Sequence, residues 1–179
     1  MASLLNALTS LKSYHLLAWG SLLGTQLYQT FVNTKLCYLH LPRAQFMSLQ
    51  RHVFPTYFAA ATALAVATAV TYPAGSVAGL AEDHVELGLL TATIGMSALN
   101  LLVYGPKTLG AMKTRTHTET RDGLQLGSSS ELPKDKLTEE MYKAKRGFSR
   151  NHAMSIHLNL IGVITNVVYG ILLSSKMTV

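Results

Sequence analysis

The first apolar run of the chain carries polar positions at helical spacing. No charge occurs between Ser13 and Thr34, yet His15, Trp19, Leu22, Gln26, Gln29 and Asn33 follow one another at intervals of four, three, four, three and four residues. That interval pattern is one face of an α-helix. Three more charge-free runs cover 52–81, 87–106 and 151–175. Each is long enough for the roughly 20 residues that a bilayer-crossing helix needs. A soluble core helix of this length carries charges on its solvent face, and these runs carry none. The pattern predicts an all-α chain: an integral membrane four-helix bundle, one domain over residues 1–179, with spans at about 13–34, 54–72, 85–104 and 151–173.

The later runs repeat the opening pattern. His152, Ser155, Asn159, Gly162, Asn166 and Gly170 share one face of span 4; Thr93, Ser97, Asn100 and Tyr104 share one face of span 3. Span 2 is alanine-rich, with Ala59, Ala63 and Ala67 on one face and Ala61, Ala65 and Ala69 on another, a composition that lets helices approach closely. An amide left unpaired in hydrocarbon is costly, so the stripes are expected to turn inward, with His15, Gln26, Gln29, Asn100, Asn159 and Asn166 in the interior. Two readings follow. The stripes are helix glue, at about 0.6 kcal/mol per interhelical bond, or they line a polar pocket or pathway. Glu82, Asp83 and Glu86 read as an acidic cluster at the far-side start of span 3 and the charge-free runs hold no acid, so the spans are expected to lack the carboxylate that a proton- or cation-coupled carrier uses.

The connections carry their own signals. Pro42 turns the chain and Pro55 starts the next span, with Phe46, Leu49 and Val53 suggesting a short interfacial helix between them. "YPAGSVAGLAEDH" (72–84) reads as a turn, with Asp83 and Glu86 as an acidic helix start. Span 3 is expected to stop at Gly105-Pro106, followed by a flexible "TRTHTETRDGLQLGSSS" (114–130). From Pro133, Leu137, Met141, Ala144 and Phe148 mark an amphipathic helix, either lying on the leaflet or leading solvated into span 4.

Charge then orients the chain. Only 13% of residues are charged, against about 25% in soluble domains, and mean hydropathy is +0.25. Of the 15 Lys and Arg residues, three fall in 35–51 and ten in 107–150, leaving Lys12 and Lys176 on the other side. This positive-inside bias puts both basic segments, including the loop 107–150, in the cytosol, and both termini opposite. The net charge of +6 thus reads as a topology signal with anionic-lipid contact. No nucleic-acid recognition motif accompanies it. The first run exceeds a signal-peptide core of about 7–15 residues and reads as an uncleaved anchor.

Candidate chemistry is sparse. Arg43, Lys107 and Arg150 are expected to ring one mouth of the bundle, with His152 just inside. They either snorkel to lipid phosphates or hold an anionic ligand. Cys37 is the only cysteine, so a Cys-rich zinc site is excluded. His15 and His152 belong to opposite membrane faces, and no His pair has tight ligand spacing, so no metal or haem site is assigned. No nucleophile motif or phosphate-cradling loop occurs. The expectation is a non-enzymatic protein without cofactor.

Specific motifs add a resemblance. "HLL" with Gly24, Gln26 and "TFV" (30–32), then "LPRAQF", "LQ" (49–50) and "FPTYF", together resemble the transmembrane protein 205-like family. So do Asn100, Pro106-Lys107-Thr108 and Ala111-Met112, and Phe148, Arg150, His152, Ser155, Asn159-Leu160 and Asn166. Leu23 departs from the pattern, where the family often has an aromatic. The resemblance implies a multi-pass eukaryotic membrane protein with an uncharacterised domain and no settled activity. Its link to resistance against toxic compounds points to transport or vesicle traffic. A more distant similarity to copper-resistance D-like and haem-linked bacterial membrane proteins would fall on His15 as a ligand. The leading expectation is a structural or trafficking role in an endomembrane, of the ER or secretory pathway or else a mitochondrial membrane. The alternatives are a small-molecule or metal-handling carrier, forming a homo-oligomer, and a haem- or metal-binding redox protein.

Overall fold

The structure is a computed structural model describing residues 2–73 and 77–176, and every regular element among them is helical. Helix α1 (Ala2–Thr9) leads into α2 (Leu11–Leu27), which continues through a π-helical segment, Tyr28–Asn33, into α3 (Thr34–His40). Helix α4 covers Arg43–Val70 and α5 Val77–Glu82. Helix α6 (His84–Leu99) passes through a second π segment, Asn100–Tyr104, into α7 (Gly105–Arg121). Two short 3-10 turns precede α8, Glu139–Lys176. Among the described residues, three helical stretches are long and apolar enough to cross a membrane: Arg43–Val70, His84–Arg121 and Glu139–Lys176.

These stretches run past the expected borders. Pro55 lies inside α4 instead of starting it, and the interfacial helix expected before it is the first three turns of the same rod. Its buried face holds Met47 and Gln50, whereas Leu49 is exposed. Gly105-Pro106 does not stop span 3. Pro106 stands in the first turn of α7, one residue beyond the π segment, where the change of register makes a missing N–H least costly. Gly105 is needed at this junction, because a Cβ would collide with the Asn100 carbonyl. The segment 114–121, expected as loop, is helical. No Gly or Pro interrupts it, and Arg115 pairs with Glu119 one turn on at 3.1 Å. The helix expected from Pro133 begins only at Glu139, after a 3-10 turn at Lys134–Lys136 that leaves Leu137 extended, and it runs unbroken as α8 into span 4. Of the expected turn at 72–84, residues 74–76 lie outside the described residues; Asp83 caps α6 by accepting the Glu86 N–H at 3.1 Å.

Helix α4 packs against α2 and α6, and α8 packs against α6, α7 and α2. Small residues set the closest approaches: Ala61 and Ala65 of α4 are buried with Leu22, Tyr57 and Phe58. At Gly170 of α8 the Trp19 ring occupies the space a Cβ would take. The polarity of the molecule is inverted relative to a water-soluble protein. Gln26, Glu86, Thr93, Asn100 and Asn166 are at most 1% exposed, while Leu17, Val85, Leu102 and Ile171 are each more than 60% exposed. Such a surface suits hydrocarbon, where polar groups must find partners inside.

Candidate functional site: a crevice beneath a basic mouth

The polar stripes meet one another across the interior. Asn166 Nδ2 donates to Gln26 Oε1 at 2.8 Å, and Trp19 Nε1 donates to the Asn166 carbonyl at 3.3 Å. The Thr93 and Thr165 hydroxyls lie 2.8 Å apart. Asn100 Nδ2 donates to the Ser155 carbonyl at 3.1 Å. Asn159 bridges two helices: its Oδ1 accepts from the Tyr57 hydroxyl at 2.7 Å, and its Nδ2 donates to Thr30 Oγ1 at 2.9 Å. Gln29 stays local, accepting from Asn33 Nδ2 at 2.8 Å, while the Thr34 hydroxyl donates to its carbonyl at 2.9 Å. Gln29, near the start of this π segment, is thereby tied to the segment's end.

Two neighbouring cavities open beside this ladder and share Thr30, Thr34, Phe54, Thr108, Leu109 and His152 as walls. The first, about 360 Å³, lies among the first π segment, α4, α7 and α8, and is mostly apolar, lined by Phe54, Tyr57 and Phe58 of α4 and by Ser155 and Asn159 of α8. Phe31, Ile156 and Leu160, which also line it, are exposed on the apolar surface. The second, about 510 Å³, runs from the shared walls to the charged end of the molecule, where Lys35, Arg43 and Arg115 line it. Both volumes fall in the usual range of small-molecule sites, about 300–1,000 Å³. Together they form one crevice with an apolar arm and a basic mouth.

Buried chemistry holds the floor of the mouth. Glu119 is 0% and Arg115 6% exposed. Arg115 Nη2 donates to Glu119 Oε1 and to the Gly127 carbonyl, each at 3.1 Å, and its Nε donates to Ser129 Oγ at 3.0 Å. Glu119 also accepts the Gly127 N–H at 2.9 Å and the Ser129 hydroxyl. This cluster pins residues 127–129 under α7 and aims the guanidinium past the Phe148 ring, 5.5 Å from its centroid.

A second polar centre sits at the opposite end. The Thr68 carbonyl, 2.9 Å from His15 Nδ1, can only accept, so that nitrogen carries the proton and Nε2 accepts from the Tyr169 hydroxyl at 2.6 Å. The His15 ring also stands edge-on to Tyr72 at 6.0 Å. The Tyr72 hydroxyl donates to Glu86, which is 1% exposed, and Lys176 lies 3.1 Å from Glu86 and 2.6 Å from Asp83. The Lys176 ammonium, and secondarily the Glu86 N–H, hold the Asp83 carboxyl below the usual carboxylate range.

The expected site residues thus divide between these places. Gln29, Asn159 and His152 line the apolar arm, and Arg43 and His152 line the mouth. Gln26, Asn100 and Asn166 are buried in the ladder and His15 in the far centre, and none of the four lines either cavity. Lys107 reaches over the Tyr104 ring at 5.6 Å and Arg150 is exposed; neither lines the crevice. Gln50, Lys35 and Arg115 of the mouth and Glu86 of the far centre were not singled out as site residues. Glu86 carried a readable signal: Glu86, Leu90, Thr93, Ser97 and Asn100 form one stripe at spacings of four, three, four and three. Among the described residues no group of three or more His, Cys, Asp or Glu is placed to hold a metal ion.

Comparison with known proteins adds a relationship. Over 177 residues the chain is 36% identical to xanthocillin biosynthesis cluster protein D of Aspergillus fumigatus, a match covering 99% of this chain and 97% of that one. No solved structure matches. Residues 17–117, from within α2 into α7, match a domain of unknown function, DUF4149. The chain belongs to the DUF4149 family.

Proposed function

We propose that the chain is a non-enzymatic, four-span membrane protein that holds a membrane-soluble small molecule in its crevice, as a carrier does. The fourth crossing is the helical stretch 11–40, which carries the first charge-free run. The observation that carries the reading is the crevice itself. Its apolar arm borders the surface that suits lipid, and its mouth lies at the end that gathers Lys35, Arg43 and Arg115. A ligand could enter from hydrocarbon and present a polar group to the basic end. The name of the Aspergillus relative, which ties that protein to a biosynthesis cluster, supports a place beside small-molecule chemistry. The likeness to the transmembrane protein 205-like family supports the same direction and an endomembrane setting.

The purely structural reading has its own support, since the interior amides pair mostly with one another. Native mass spectrometry of the purified chain separates the two. Binding predicts a co-purifying small mass on the wild type that is lost when the crevice is filled by Leu109→Trp or Ser155→Phe. No bound mass on the wild type, or equal retention by folded filled variants, would leave the structural role.

A further inference from the structure

We infer that the crevice selects a single-chain anionic amphiphile, a carboxylate or phosphate monoester carried on one apolar tail. This rests on the small-molecule reading of the same crevice and names its ligand class. The electrostatics of the mouth ask for an anion. Helix α4 begins at Arg43 with no acidic residue in its first turn and no side-chain cap. A cation therefore stands at the positive end of a 28-residue helix, where a negative charge is favoured instead. Lys35 lines the same cavity. Neither Lys35 nor Arg43 has a carboxylate partner among the described residues. Arg43 leans on the Tyr38 ring, 5.5 Å from its centroid, and its side chain packs against the bare backbone of Gly127.

A second observation points into the cavity. Gln50 lies on the face of α4 that lines the mouth, is 3% exposed, and has neither end of its carboxamide hydrogen-bonded among the described residues. The Thr108 hydroxyl, on the wall shared by both arms, is also buried without a partner. Buried polar groups are nearly always satisfied, so this pair marks where a ligand's polar atoms belong. A head group there takes the Gln50 amide and the two cations. Its chain then passes the shared walls Phe54 and Leu109 into the apolar arm and ends toward lipid at Phe31 and Leu160. One narrow arm of about 360 Å³ receives one chain.

The test uses the full chain in neutral phosphatidylcholine nanodiscs with nitroxide-labelled stearic acid as probe. The motionally restricted fraction is read by electron paramagnetic resonance. The expected result is a restricted component for the acid at least about tenfold tighter than for its methyl ester, since charge-assisted bonds are the strong ones. Lys35→Gln with Arg43→Gln should reduce the acid to the level of the ester, and Gln50→Leu should weaken it with the fold retained. Competition by lysophosphatidic acid would assign the phosphate monoester to the same head site. Equal binding of acid and ester, unmoved by the charge substitutions, would overturn the anionic selection while leaving the crevice as an amphiphile site. Displacement by inorganic phosphate alone would show a soluble-anion site and overturn the tail. No restricted component sensitive to Leu109→Trp would remove the small-molecule reading itself.

Discussion

Asn159 shows how a single side chain couples three helical segments in an apolar medium. Its carboxamide joins Tyr57 of α4 to Thr30 of the first π segment. Asn159→Leu strands both partners, and about 1–2 kcal/mol of stability should be lost, more than for Ile161→Ala on the exposed face. Denaturant titration in mild detergent measures the difference, and equal losses would contradict an inward stripe. Glu86 makes the stronger case. It is buried, yet its partner Lys176 is half exposed, so solvent screens part of the pair. Glu86→Ala should therefore cost about 1–3 kcal/mol, below the range for a fully buried pair. Glu86→Gln, which still accepts from Tyr72, should recover part of that loss in the same titration. These two residues also divide what the sequence reveals at this scale. Asn159 is legible because polar residues in a charge-free run must face inward. Glu86 is not, because two acidic neighbours disguise it as part of a solvated turn, and only its place on the Thr93–Ser97–Asn100 stripe tells otherwise.

Whole helices are governed by register as much as by composition. Periodicity locates the buried faces of α2, α6 and α8, since a 3.6-residue repeat survives any shift of the ends. The ends themselves were misplaced wherever proline or glycine falls inside a rod, at Pro55 and at Gly105-Pro106. Proline's local cost is real, but partners around a membrane helix re-satisfy the freed carbonyls. The π segment at Asn100–Tyr104 depends on Gly105, so Gly105→Ala should push its Cβ onto the Asn100 carbonyl. The expected cost is about 1–3 kcal/mol, the usual scale of overpacking, with weakened probe retention in the adjoining crevice. Unchanged stability and retention would contradict the close approach. The start of α8 carries a pH dependence. The Thr138 hydroxyl, and secondarily Arg121, hold the Asp122 carboxyl below the usual aspartate range. Thr138 in turn accepts the Met141 N–H at 3.2 Å. The folded value lies below the unfolded one, so this support is complete at neutral pH and is lost as pH falls through the folded value. Amide exchange at the first turn of α8 should show an acid-induced opening below about pH 4 that Asp122→Asn lacks.

At the scale of the whole molecule, two ends with different chemistry are joined by an uncharged interior. One end gathers His15, Tyr72, Glu86, Tyr169 and Lys176, which tie α2 and the segments near 72–86 to the end of α8. The other gathers the mouth residues and the Arg115–Glu119 cluster. Charge counting along the sequence separates the same two ends, because 13 of the 15 Lys and Arg residues fall in 35–51 and 107–150. The crevice was not legible in this way. It arises where the first π segment, α7 and α8 fail to close on α4, and such a gap belongs to tertiary geometry alone. The measurement bearing most directly on the four-crossing account is glycosylation mapping, because the chain has no native Asn-x-Ser/Thr sequence. A sequon is placed in a lengthened 73–84 turn and, separately, in the exposed stretch 131–136. The account predicts glycan on the first variant only, with the basic mouth facing the cytosol; glycan on the second only would contradict it.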